Sequence, residues 1–171
     1  GAFSKPLQAQ GSIYRTTNGG TSWQNMTAPG MFTNTNAFCD FVTFVTPSIG
    51  VAVGDPVNGS FEIWRTVNGG TNFSLVPNVP APLAGEYGIV NYYCKQGTSN
   101  IWFGTQKGRV YRSFDGGQTW SVSPVAATTY TVVDLAFTSQ MTGMVIGYDG
   151  TTLGIYNTTN GGATWNQLSQ D

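Results

Sequence analysis

Small, β-branched and aromatic residues alternate with polar ones along most of this chain, in short runs closed by Gly, Asn or Pro. That alternation has the period of strands, and no stretch carries the 3.6-residue period of an amphipathic helix. The runs fall into units. The second unit predicts strands at 38–45, 50–54, 61–66 and 72–76. The middle unit predicts 89–93, 101–104, 109–113 and 119–122, and the last predicts 132–137, 143–147, 153–158 and 164–168. The first unit is shorter, with strands only at 11–16 and 22–26.

One pattern closes every unit. Residues 13–23 read IYRTTNGGTSW, and the pattern returns at 63–73 (IWRTVNGGTNF), 110–120 (VYRSFDGGQTW) and 155–165 (IYNTTNGGATW). The turn residues Asn18, Asn68, Asp115 and Asn160 lie 50, 47 and 45 residues apart. A period in this range, with four short antiparallel strands per unit, predicts an all-β fold built of β-propeller blades. The expected organisation is one partial propeller over 1–171, with a half blade at 11–28 and whole blades at 37–77, 88–124 and 130–169. About three and a half blades would leave hydrophobic blade faces uncovered. The expectation is therefore part of a larger, seven-bladed-type propeller. A partner chain, or an open stack capped by residues 1–10, are the alternatives.

The repeated turn has a structural logic. Its Asn or Asp accepts hydrogen bonds from amides of its own loop, and Gly-Gly supplies positive φ. The Ser or Thr two residues before it can bond back to the same loop, and the closing aromatic is expected to begin the outer strand and pack flat on the neighbouring blade. The positions so assigned are Thr16, Asn18, Gly20 and Trp23; Thr66, Asn68, Gly70 and Phe73; Ser113, Asp115, Gly117 and Trp120; and Thr158, Asn160, Gly162 and Trp165.

These residues resemble the Asp-box, or bacterial neuraminidase repeat, of sialidase- and sortilin-type propellers, with Asn in place of Asp in three boxes of four. Between boxes, Val133-Asp134-Leu135-Ala136-Phe137 followed by Gly143-Met144-Val145-Ile146-Gly147 resembles the repeat of photosystem-II-assembly-factor-like propellers. Phe41-Val42-Thr43-Phe44 with Gly50-Val51-Ala52-Val53-Gly54 has the same form. The resemblance runs from Gly11 to Leu168 and implies a fold, not a chemistry. Such propellers occur in secreted bacterial proteins, a setting that the Asn/Thr-rich style of this chain fits.

Composition narrows the function. Only 9% of the 171 residues are charged and the formal net charge is -1, so the footprint of a nucleic-acid binder is missing. No apolar run approaches a membrane-spanning helix. There is no histidine, which removes the commonest general base and metal ligand. Cys39 and Cys94 are read as two small apolar thiols on the same face of successive sheets rather than as a disulfide. The chain starts at Gly1 with no signal-type stretch, which suggests a processed or excised piece.

Candidate chemistry is sparse. Arg15, Arg65 and Arg112 invite comparison with a sialidase arginine clamp, but they share one repeat position, which points to a structural or solvent-facing role. The only glutamates, Glu62 and Glu86, form no recognisable pair with a tyrosine. Asp40 and Asp134 are expected at equivalent first-strand positions, with Asn91 in the middle blade. They are the candidate acids if the chain is a fragment of a propeller glycoside hydrolase, xyloglucanase- or sialidase-like. The loops 54–59 and 148–151 offer oxygen ligands, but without the acidic density of a calcium site. No metal or cofactor is expected.

Phe32, Tyr87, Tyr92 and Tyr130 are the candidate binding aromatics, and the loops 28–36 and 76–88 the candidate recognition surface. The leading expectation is a non-enzymatic, secreted or cell-surface module that binds or scaffolds a protein or glycan. An assembly factor or structural subunit of a larger complex is a further alternative.

Overall fold

The structure, a computed structural model, describes residues 11–34 and 38–170. The cap expected from residues 1–10, the end of the loop 28–36 and the first residue of the blade expected at 37–77 lie outside it. Among the described residues every element is a strand. The chain forms a half blade and three four-stranded antiparallel blades of a β-propeller.

Blade I, the half blade, pairs β1 (Tyr14–Arg15) with β2 (Gln24–Asn25). Blade II runs β3 (Cys39–Phe44), β4 (Gly50–Val57), β5 (Ser60–Thr66) and β6 (Ser74–Leu75). Blade III holds β7 (Gly88–Gln96), β8 (Asn100–Thr105), β9 (Arg109–Ser113) and β10 (Ser121–Pro124). Blade IV holds β11 (Thr131–Phe137), β12 (Gly143–Tyr148), β13 (Leu153–Thr158) and β14 (Asn166–Gln170). Strands neighbour one another in chain order within each blade, so short hairpins suffice to build it.

The blades are joined face to face by three apolar seams. Ile13, Met31 and Phe32 meet Ala52, Trp64 and Phe73 between blades I and II. Phe41, Val51, Val53, Phe61 and Ile63 meet Ile101, Phe103, Tyr111 and Trp120 between II and III. Trp102, Val110 and Val125 meet Val132, Leu135, Phe137, Val145 and Tyr156 between III and IV. Aromatic contacts carry the last two seams. Phe41 stacks on Tyr93 with centroids 4.3 Å apart, and Trp102 on Phe137 at 3.8 Å.

Two details of register depart from expectation. Each outer strand begins one residue after the box aromatic, at Gln24, Ser74, Ser121 and Asn166. The amides just before the aromatic are already spent on the box side chain, so the aromatic closes the turn instead of starting the strand. Second, β3 bulges at Asp40, where Cys39 pairs with Gly54 and Phe41 with Val53. In β11 the bulge falls at Val133, and Asp134 pairs with Ile146. Counted from the pairs Phe44–Gly50 and Phe137–Gly143, Asp134 occupies the place of Phe41, not of Asp40. The expected equivalence of Asp40 and Asp134 is off by one residue, which turns them to different surroundings. Asn91, at φ 65°, sits in the irregular stretch of β7 between the pairs Gly88–Thr105 and Tyr93–Phe103.

Candidate binding site on the loop rim

The four boxes line one rim. In blade II the Thr66 hydroxyl donates to Asn68 Oδ1 at 3.0 Å and accepts the Gly70 N–H at 3.0 Å. Asn68 Oδ1 also accepts the Asn72 N–H at 3.0 Å. Boxes I and IV repeat this through Thr16 and Asn18 and through Thr158 and Asn160. Both glycines of each box have positive φ, 67° and 80° at Gly69 and Gly70. In box III, burial pushes the Asp115 carboxyl up. Hydrogen bonds from the Thr119 hydroxyl and amide, Ser113 and Gln118 outweigh that and hold it below the usual carboxylate range. The box hydroxyl and the Asn or Asp oxygen are spent within each turn, so the turns are structural devices.

The box aromatics meet their surroundings edge-on rather than flat. Trp120 approaches Phe103 at 62° between planes, and Trp165 approaches Phe137 at 79°. Phe73 is buried and Trp165 half-buried, whereas Trp23 is 61% exposed.

Two of the arginines before the boxes, Arg15 and Arg65, tether their blade to the box of the next. Arg15 Nη1 donates to Thr71 Oγ1 at 3.1 Å, and Arg65 Nε donates to the Gly116 carbonyl at 2.8 Å. Arg112 lies 3.8 Å from where a β-carbon on Gly162 would stand, with Nε bonded to Ser121 Oγ at 2.9 Å. Each arginine serves a different seam, so the three do not converge into a carboxylate clamp.

Buried acids distinguish the opposite rim, made by the β4–β5 and β8–β9 turns and the inter-blade loops. Glu86 is fully buried and ion-pairs with Arg109, Nη2 to Oε2 at 2.8 Å. It also accepts the Thr105 hydroxyl at 2.7 Å and the Leu83 N–H at 2.7 Å. Arg109 Nη2 bonds the Ala81 carbonyl and the Tyr111 hydroxyl. This network pins the 76–88 loop to blade III. Burial, and then the Glu86 charge, push the Tyr111 hydroxyl up.

Asp40 faces blade III. A β-carbon on Gly88 would fall 2.1 Å from Asp40 Oδ2, so any larger residue there would displace the Asp40 carboxyl. Among the described residues that oxygen is buried without a hydrogen-bond partner. Burial, and then the nearby Asp55 charge, raise the Asp40 carboxyl to about 8. Asp55 itself is raised by burial against a hydrogen bond from the Gly88 N–H at 3.1 Å. Burial, Asp40 and Glu62 together push the Cys39 thiol to about 12, and both cysteines are free. Asp134 lies elsewhere, exposed on blade IV, with Oδ1 accepting its neighbour Leu135's N–H at 2.8 Å. The two candidate acids thus sit in different blades and different surroundings, Asp40 buried and Asp134 exposed. Of the proposed oxygen-ligand loops, 148–151 is organised by Asp149 Oδ1, which accepts the N–H groups of Thr151 and Thr152.

A cleft of about 470 Å³ opens on the same rim, between blade II and the loop after blade I. Thr33, Asn34, Asn58 and Ser60 supply polar edges, and Val57, Leu75 and Val76 an apolar wall. Glu62 and Trp64 form its floor, two residues apart on β5 and so on one face. Glu62 Oε1 accepts the Phe32 N–H at 2.6 Å and the Trp64 Nε1–H at 2.8 Å. The sequence signal for this cleft was a break in the repeat: the residue preceding the box Ile or Val is Glu62 in blade II, Arg109 in III and Gly154 in IV.

Of the candidate aromatics, Phe32 is 0% exposed and plugs the first seam, and Tyr130 is buried. Neither presents a face, because each fills a gap where a loop enters the next blade. Tyr92 is half-buried against the third seam. Tyr87 is 49% exposed, held by its N–H to Gln106 Oε1 at 2.9 Å.

No protein-family model matches the chain. In sequence it is similar to the chloroplastic photosystem II stability/assembly factor HCF136 of Cyanidioschyzon merolae, 32% identical over 122 residues, which cover 62% of this chain and 26% of that protein. In structure it is similar to YCF48 from Cyanidioschyzon merolae, with a TM-score of 0.54 and 17% identity over 94% of this chain and 53% of that one. It is also similar to the GH74 enzyme of Niastella koreensis, at 0.50 and 15% over 91% and 34%. The chain spans about a quarter of the curated relative. The likeness to photosystem-II-assembly-factor-like propellers, read from the repeats, is present in both sequence and fold.

Proposed function

We propose that this chain is a non-enzymatic, protein-binding propeller module of the assembly-factor kind, and that its binding surface is the loop rim around the blade II cleft. The carrying observation is the chemistry of that cleft. Its one lining carboxylate, Glu62, is committed to two N–H donors, and its walls combine apolar and uncharged hydrogen-bonding groups. Such a surface suits an extended peptide with alternating apolar side chains and free backbone amides. The name of the curated relative, a stability/assembly factor, supports the same class. The setting belongs to the proposal as well: a charge-poor, Asn/Thr/Gly-rich chain suits a secreted or cell-surface protein.

Glycoside hydrolysis is the second reading, favoured by the GH74 likeness in fold. It calls for two carboxylates about 5 to 9.5 Å apart across a cleft, whereas the blade II cleft is lined by one, Glu62. Peptide and glycan arrays, each probed with the 171-residue protein and with Leu75→Asp, separate the readings. Peptide capture lost in the variant is expected. Hydrolysis of a glycan by the wild-type protein, or peptide capture untouched by Leu75→Asp, would overturn the proposal.

A further inference from the structure

Four Asn-Gly dipeptides occur in the chain: Asn18-Gly19, Asn58-Gly59, Asn68-Gly69 and Asn160-Gly161. Asparagine is most labile in this setting, because glycine has no side chain to keep its amide nitrogen away from the preceding carboxamide carbon. Three of the four belong to boxes, where the reacting groups are already engaged. Asn68 Oδ1 accepts the Thr66 hydroxyl and the Asn72 N–H, and the Gly69 N–H donates to the Ser48 carbonyl at 2.9 Å. Asn160 Oδ1 accepts the Thr158 hydroxyl and the Thr164 N–H, its Nδ2 donates to Thr164 Oγ1, and the Gly161 N–H donates to the Met141 carbonyl at 2.8 Å. Asn18 is held by the Thr16 hydroxyl and by the N–H and hydroxyl of Ser22.

Asn58-Gly59 is built differently. It is the two-residue turn between β4 and β5, closed by the pair Val57–Ser60, and its φ angles are 54° and 82°. Both residues are exposed, and nothing stands within 4 Å of the place that a β-carbon on Gly59 would take. Among the described residues neither the Asn58 side chain nor the Gly59 N–H is held by a hydrogen bond. The carboxamide is free to turn onto the next amide nitrogen, and water reaches it. Asn58 is also one of the polar edges of the blade II cleft.

We propose that Asn58 is a self-modification site, deamidating to aspartate and isoaspartate in the folded protein while the box asparagines persist. The Gly59 amide nitrogen gives up its proton and bonds to Asn58 Cγ; the Cγ–Nδ2 bond breaks and Nδ2 leaves as ammonia. The cyclic imide then takes up water. Opening at Cγ leaves an aspartate, and opening at the Asn58 backbone carbonyl leaves an isoaspartate, whose main chain is one methylene longer. The sum is one water consumed and one ammonia released, with no change of oxidation state. Either product puts a carboxylate on the cleft edge in place of an uncharged amide. Unlike Glu62, which accepts from Phe32 and Trp64, that carboxylate has no N–H donors committed to it. Its effect on binding rests on the cleft proposed above: capture of acidic peptides should weaken several-fold, and the effect should fade with salt.

Peptide mapping by mass spectrometry, on protein incubated at mildly alkaline pH either folded or in urea, reads the site. The folded protein is expected to convert several-fold faster at Asn58 than at Asn18, Asn68 or Asn160, with isoaspartate among the products, and urea to bring the four rates together. Conversion at a box asparagine as fast as at Asn58, or a folded Asn58 that stays intact while it converts in urea, would overturn the proposal. Binding is read separately, with Asn58→Asp as a homogeneous form of the aspartate product. Acidic peptides captured by the wild-type protein are expected to bind this variant several-fold more weakly, and neutral ones equally. Equal capture of acidic peptides by both would overturn the effect on the cleft. Leu75→Asp separates the two readings: peptide capture untouched by it removes the cleft as the binding surface and leaves the mapped conversion at Asn58 standing.

Discussion

Arg65 Nε donates to the Gly116 carbonyl at 2.8 Å, tying the third strand of one blade to the turn of the next. The contact is part-buried and charge-assisted, so losing it strips a carbonyl of its donor and an aliphatic stem from the seam. Arg65→Ala should lower stability by about 1–3 kcal/mol. Arg15→Ala, whose bond to Thr71 is solvent-exposed, should cost about 0–1 kcal/mol. Urea midpoints at constant slope check the ranking, and equal costs would refute an inter-blade role for Arg65.

The box hydroxyl is the second test. Thr66→Val keeps the shape but leaves the buried Gly70 N–H and Asn68 Oδ1 each short of a partner. A loss of about 1–3 kcal/mol is expected, with a smaller one for Thr16→Val at the exposed box. Asn160→Asp should be nearly neutral. Asn160 Nδ2 donates to Thr164 Oγ1, and in box III the corresponding hydroxyl of Thr119 simply donates the other way, to Asp115 Oδ2. Thermal melts of the three variants decide it.

These boxes show how much was legible. Turn chemistry is local, set by residues within a few positions of one another, so the repeats disclosed blades, strand order and box hydrogen bonds. Bulges are not local in that sense. Nothing in the residues around Asp40 and Val133 says which will be squeezed out of the ladder, because the partner strand and the facing blade decide it. A one-residue slip there puts Asp40 and Asp134 at different register positions of their blades. The cleft was equally hidden, since its walls come from a loop and two strands whose meeting depends on blade packing. Only the odd Glu62 in an otherwise uncharged or basic repeat position betrayed it.

Asp40 should make stability fall as pH rises. Its carboxyl titrates near 3.8 ordinarily and about 8 in the folded protein. Between those values the folded chain holds a proton that the unfolded chain releases, so each step up in pH favours unfolding. The penalty grows across roughly pH 4 to 8 and is flat above the folded value. Asp55 shares this seam and is also raised, so the slope reports the pair. Asp40→Asn should raise the melting temperature at pH 8, with the gain vanishing towards pH 4. A variant no more stable than wild type at pH 8 would contradict the buried, unpartnered Oδ2.

Glu86 and Arg109 provide the sharpest contrast between breaking a pair and replacing it. Glu86 is fully buried, and the pair holds the 76–88 loop through Leu83, Ala81 and Thr105. Arg109→Met strands an ionised carboxylate away from water and should cost about 3–5 kcal/mol. Glu86→Gln with Arg109→Met removes both charges and keeps an amide whose carbonyl can accept the Leu83 N–H and whose NH2 can donate to the Thr105 hydroxyl, so it should recover much of that loss. Because Tyr87 follows directly and Gly88 bonds Asp55, the single variant should also free this loop from the rim. Proteolysis within 76–88 should then speed up in Arg109→Met and return towards the wild-type rate in the double variant. Equal loss in both would mean that the loop is held by its apolar contacts through Val76 and Val79 rather than by the ion pair.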